Sequence, residues 1–164
     1  MSLRKMLSVF LVLMVLALGA SAELSVSVPD AVFIELFEYE GGTEALYTML
    51  DGEVTVEVLE SEPTEFGKVG EVTFAELAEL RTNGALSSEI EVVSEEPIDS
   101  YPALWLRYTE DSEDGSMTDN AVAIWTDEKT FAVFFIAETD SYADNLQAIE
   151  DAIANLTLVE EGNV

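Results

Sequence analysis

The 164-residue chain has no cysteine and no histidine, and it has six lysines and arginines against 34 aspartates and glutamates. Each shortage removes a chemistry. Without cysteine there is no disulfide framework, no thiolate nucleophile and no Cys-built zinc or iron–sulfur site. Without histidine there is no serine–histidine triad and no imidazole metal ligand. Two of the six cations, Arg4 and Lys5, stand at the very start, which leaves four for everything after them. Affinity for a phosphate backbone comes from Lys and Arg displacing counterions, so no nucleic-acid partner is expected. Nothing in the composition calls for a cofactor.

One long apolar run is present, and it is N-terminal. Met1–Lys5 is short and cationic, Met6–Leu18 is apolar apart from Ser8, and Gly19-Ala20-Ser21-Ala22 follows. Small residues at Ala20 and Ala22 form an A-x-A cleavage pattern, and the acidic chain begins at Glu23. That order is the secretory signal arrangement. It predicts a leader over 1–22, a single acidic domain over 23–164, and a secreted or extracytoplasmic address. The rival is an uncleaved N-terminal anchor, because Met6–Ala22 sits at the short end of the roughly 17–25 residues that span a bilayer. Membrane association is expected only if that segment is retained.

The acidity has two readings. A surface of one sign keeps molecules apart in solution at some expense in self-repulsion, and salt screens that repulsion. Alternatively, carboxylates gather around Ca²⁺ or Mg²⁺, which favour oxygen ligands. The acids are spread along the chain rather than spaced as ligands, which favours solvation. Disorder is the third outcome of high charge, but the chain is 49% hydrophobic and its apolar residues are periodic.

Strands are predicted at Leu24–Val28, at Ala31–Tyr39 with Val32, Ile34 and Leu36 sharing one face, and at Glu53–Leu59 with Val54, Val56 and Val58 inward. Gly41-Gly42 and Asp51-Gly52 read as turns, and Thr43–Leu50 is ambiguous between strand and helix. Glu60–Gly70 reads as loop. Val72–Arg81 is a helix with a capping box at Thr73 and Glu76, and Leu80 widens its apolar stripe beside Leu77. Ile90–Val93 is a short strand. In Ala103–Tyr108, Leu104, Leu106 and Tyr108 share one face, and Trp105 and Arg107 the other. Thr118–Thr126 returns from a polar tip at Glu110–Met117. Thr130–Ala137 is apolar on both faces and should be the central strand, covered on each side. Asp140–Leu156 is a second helix, capped by Asp140 or Ser141, with Leu146, Ile149, Ile153 and Leu156 in its stripe. Thr157–Val159 reads as an added edge strand. Short hairpins call for an antiparallel sheet and hence α+β, and a strand apolar on both faces argues that the two helices cover opposite sides or that the sheet curls.

The second half resembles the Mog1/PsbP-like fold, in particular small exported domains of the PsbP and DcrB type. The residues that carry this are Pro97-Ile98-Asp99-Ser100-Tyr101-Pro102-Ala103-Leu104-Trp105-Leu106-Arg107-Tyr108, the Asp114-Gly115 tip, the strand Thr130–Ala137, and Asp140-Ser141-Tyr142 opening a terminal helix that ends in Asn155-Leu156-Thr157-Leu158. The likeness covers about 89–159. It implies an antiparallel sheet between helices (an α/β/α sandwich) and an extracytoplasmic address, and it transfers no catalytic residue.

Few side chains suggest a site. Asp111, Glu113, Asp114 and Asp119 invite a calcium-loop reading. Aligning Gly115 with the loop glycine puts Glu110, Ser112 and Asp114 at ligand positions, but Ala121 falls where the bidentate acid belongs. A solvated hairpin tip accounts for them as well. Paired carboxylates run glycosidase chemistry, but nothing marks one pair. Lys68 and Lys129 lack a partner serine motif, and Gly67 and Gly70 lack phosphate-loop spacing. Trp105, Trp125 and Tyr101 would line a groove or pack in the core. Asn155-Leu156-Thr157 is an N-x-T glycosylation acceptor, with Asn155 accessible if Leu156 points inward. The leading expectation is an exported, non-enzymatic binding domain for an extracytoplasmic protein or envelope component. The alternatives are a carboxylate-based or metal-assisted hydrolase and a divalent-cation-binding protein.

The formal charge of −28 has a measurable consequence. Thermal melts are expected to shift upward between dilute buffer and about 1 M NaCl, as screening relieves repulsion. Coincident melts, or a fall with salt, would refute the solvation reading.

Overall fold

A computed structural model describes residues 23–83, 85–112 and 115–161. Ala20, Ala22, Glu113 and Asp114 lie outside the described residues. In chain order the elements are β1 (Glu23–Ser27), β2 (Val32–Tyr39), β3 (Gly42–Met49), β4 (Val54–Ser61), β5 (Lys68–Val69), β6 (Val72–Thr73), α1 (Phe74–Arg81), β7 (Glu91–Ser94), β8 (Ala103–Ser112), β9 (Gly115–Trp125), β10 (Thr130–Glu138), α2 (Thr139–Ala154) and β11 (Thr157–Glu161).

The main sheet has seven strands in the order β2-β3-β4-β10-β9-β8-β7, all paired antiparallel. β10 is its middle strand. Phe131, Val133, Phe135 and Ala137 join a core that includes Ile149 and Ile153 of α2. Ala132 and Phe134 join a second core with Phe74 and Ala78 of α1. The two helices therefore cover opposite faces, as a strand apolar on both sides demands. The ribbon β1–β11 packs Leu24, Val26 and Leu158 beside α2. The fold is α+β, with an antiparallel sheet between helical layers.

Local chemistry explains the boundaries. The Thr73 side chain accepts from the Glu76 N–H at 3.2 Å, and the Glu76 carboxylate accepts from the Thr73 N–H at 2.9 Å. This closes the capping box and starts α1 at Phe74. Gly41 turns the β2–β3 hairpin at φ +96°, and at Gly42 any Cβ would collide with the Glu60 carbonyl oxygen, so the second glycine lets β3 approach β4. The ambiguous segment after it is strand.

Three expectations fail locally. Val32, Ile34 and Leu36 do not share one face: Val32 opposes Thr48 and Leu36 opposes Ala45, on opposite sides of the sheet, and the three are 64%, 52% and 37% exposed. A bulge between Phe33 and Glu35 breaks the alternation, and β2 is an outer strand. Leu80 is 64% exposed, because α1 is short and leans on the sheet through Phe74 and Ala78. Neither Asp140 nor Ser141 caps α2. β10 runs straight into it, Glu138 occupies the N-cap without a side-chain bond, and the Ser141 hydroxyl instead donates to the Glu138 carbonyl at 3.3 Å.

Truncation should sort these environments. Phe135, with no exposed surface, is expected to lose about 3–5 kcal/mol on Phe135→Ala, whereas Leu80→Ala should stay within about 0.5 kcal/mol. Urea midpoints measure both, and equal shifts would contradict this packing.

Candidate functional site

A cleft of about 450 Å³ opens where the C-terminal end of α2 meets the connection between β7 and β8. Strand alternation supplies its floor. Ala103 and Trp105 of β8 point to the α2 side, as does Val122, the cross-strand partner of Trp105 on β9. Ile153 and Leu156 form one wall and Pro97 and Ile98 the other, with Glu96 and Asp99 among the polar lining.

Trp105 is held from behind. Its indole N–H donates to the Asn120 side-chain oxygen at 3.1 Å, which also accepts from Arg107 Nε at 3.0 Å. The Asn120 amide donates to the Tyr142 hydroxyl at 2.9 Å, and Arg107 reaches Glu150 of α2 at 3.3 Å. Asn120 has no exposed surface. A buried amide with its hydrogen bonds satisfied orients its neighbours strongly, and the arginine lies 5.5 Å from the Trp105 ring.

The opposite wall carries backbone strain. Asp99 and Ser100 both have positive φ, 47° and 72°, between Ile98 and Tyr101, which exchange N–H···O bonds at 3.0 and 2.9 Å. Two successive left-handed non-glycine residues are costly. The Asp99 carboxylate repays part of this by accepting the Leu158 N–H at 2.8 Å, which ties the turn to β11.

The sequence candidates scatter. Trp105 and Asn155 line the cleft. Asn155 is exposed at the C-cap of α2 and donates its amide to the Asp151 carbonyl at 2.7 Å. Tyr101 packs against the α2-side core. Trp125 belongs to the other face, 4.7 Å from Phe66 between ring centres and donating to the Lys68 carbonyl at 2.6 Å. Lys68 pairs with Glu65 at 3.3 Å and Lys129 pairs with Glu60. Asp111 is exposed while Asp119 is buried, so the two do not converge. Among the described residues no group of three or more His, Cys, Asp or Glu side chains is placed to hold a metal ion.

Asp119, which the sequence groups with the hairpin-tip acids, is instead buried in the sheet. Register sets it opposite Tyr108 and Ile136, on the α1 side, and it is 3% exposed. Its parity with Trp125 was the available signal. Burial lifts its carboxyl to about 6, with Glu110 adding to the rise while the Tyr108 hydroxyl and Arg81 offset it. Burial likewise raises the Tyr108 phenol, with Asp119 adding to it.

This displacement has a sign. The folded state holds the Asp119 proton more tightly than the unfolded state, so stability is fullest below the unfolded value near 3.8 and falls as pH rises toward 6. Relative to Asp119→Asn, the wild type should lose roughly 3 kcal/mol across that window. Parallel stability curves for the two proteins would contradict it.

A scan against known protein families finds no match, and a search of curated proteins finds none either. Solved structures do match. The solution structure of cyanobacterial PsbP (CyanoP) from Synechocystis sp. PCC 6803 is 11% identical, with 85% of this chain and 95% of that chain covered at a TM-score of 0.57. LpqN, involved in cell envelope biogenesis of Mycobacterium tuberculosis, is 12% identical with 86% and 87% covered at 0.48. The likeness to cyanobacterial PsbP extends through both halves of the described chain, and the fold is PsbP-like.

Proposed function

We propose that the protein is an exported, non-enzymatic binding domain whose cleft takes an apolar group carried beside a positive charge, presented by an extracytoplasmic protein or an envelope component. The observation that carries this is the clamped Trp105. A large aromatic surface fixed before binding loses little freedom on association, and aromatic anchors supply much of interface affinity. Glu96 and Asp99 near it select a cationic neighbour. The volume falls within the roughly 300–1,000 Å³ of ligand pockets. Export is supported by the arrangement of Met1–Ala22, and the dense acids elsewhere serve solvation.

The hydrolase alternative needs a raised carboxyl facing a second acid across a substrate. Asp119, the carboxyl that burial raises, lies on the α1 side, while Glu96 and Asp99 line a cleft on the α2 side. They form no acid–base pair.

The full chain expressed with its own leader provides the test. Its exported form should have the intact mass of a chain beginning at Glu23. Titrated with a dansylated alkyl diamine, it should bind saturably. Trp105→Ala should weaken binding about tenfold, with Trp125→Phe unchanged. Equal affinity for wild type and Trp105→Ala would refute the cleft reading.

A further inference from the structure

The two edges of the main sheet are treated differently. β7 is only four residues long and runs into Pro97. Those are the usual means of blunting an edge against strand addition. β2 is eight residues long, its bulge between Phe33 and Glu35 leaves Glu35–Tyr39 in regular register, and among the described residues it bonds only to β3 in the sheet. Phe33 is half-buried against Tyr47, but the strand's other apolar side chains are exposed: Val32, Ile34 and Leu36, with Phe37 at 45% and Tyr39 at 46%. Neither helix extends over it, since α1 and α2 pack on the two cores that β10 divides.

Charge says what would pair there. Glu35 and Glu38 are the ionisable acids within β2 and are exposed, Glu40 follows, and no lysine or arginine occurs in 23–67. A second copy would bring the same acids to the seam, against a formal charge of −28 on each chain. Register assigns the faces. Glu35, Phe37 and Tyr39 oppose Leu46, Glu44 and Gly42 and share one face, while Leu36 and Glu38 oppose Ala45 and Thr43 on the other. Directly opposed side chains across a strand pair interact. The complementary strand therefore carries cations opposite Glu35 and Glu38 and apolar residues opposite Leu36, Phe37 and Tyr39.

We infer that β2 is a docking edge for an extended segment of a partner protein with the pattern apolar–basic–apolar–apolar–basic, added as an eighth strand through main-chain hydrogen bonds. This surface lies on the opposite edge of the sheet from the β7 side, where the cleft opens, and it does not depend on the cleft being a binding site.

The probe is a ten-residue synthetic peptide with Val-Lys-Val-Val-Lys at its centre, and its counterpart with Glu in place of each Lys. The exported protein is expected to bind the first saturably, more weakly as salt rises, and the second not detectably. Amide exchange should slow over 32–39. The double variant Glu35→Lys, Glu38→Lys should lose about tenfold in affinity or more, while Trp105→Ala binds as wild type. Equal binding of both peptides, protection mapping to the cleft, loss of binding in Trp105→Ala, or a peptide-free dimer protected over 32–39 would each overturn the inference.

Discussion

Everything in this fold depends on β10 being apolar on both faces. A sheet with one apolar side needs one cover; a middle strand reading Phe-Ala-Val-Phe-Phe-Ile-Ala needs two. α1 covers one side and α2 with the β1–β11 ribbon covers the other. Once the covers are committed to the middle of the sheet, its margins are left over. The cleft is such a margin: the end of α2 reaches Trp105 but the turn at Ile98–Tyr101 must close the rest. β2 is the other.

Scarcity of cations shapes the packing as much as abundance of anions. The four basic side chains beyond the N-terminal segment all meet carboxylates. Arg81 joins α1 to Glu57 of β4 while lying 3.9 Å over the Phe134 ring. Arg107 joins β8 to Glu150 of α2, and Lys129 joins the β9–β10 turn to Glu60 of β4. Lys68 meets Glu65 near β5. An exposed ion pair contributes little by itself, but three of these pairs bridge separate elements. In a molecule that repels itself, they place attraction where elements must stay together.

The legible parts of the sequence were those set by local physics. The Val54-Val56-Val58 alternation, the capping box at Thr73 and the two-sided β10 each state their own geometry, and the helices followed from them. What resisted was set by position in the sheet. Val32, Ile34 and Leu36 have the same alternation as Val54, Val56 and Val58, and nothing within β2 says that no element lies over it. The bulge at Phe33 has no glycine to announce it. α2 has no capping signature because β10 leads into it without a loop. The sequence leaves Trp105 between a groove and the core, and its clamp depends on Asn120 pairing with Arg107 across β8 and β9. Asp119 hid among the acids, and only its register reveals it as buried.

The acidic coat acts on the fold and on partners with opposite sign. Repulsion within one chain opposes compaction, so screening by salt strengthens the fold. Attraction toward a basic partner is weakened by the same screening. On the proposed readings, concentrated salt would therefore strengthen the fold while charge-assisted contacts fade, leaving the apolar part of each surface: the Trp105 floor and the exposed side chains of β2. Both surfaces combine aromatic or aliphatic area with a few carboxylates. In the proposed role, area would hold in salt, and the carboxylates would serve mainly to choose among partners that the area alone would accept.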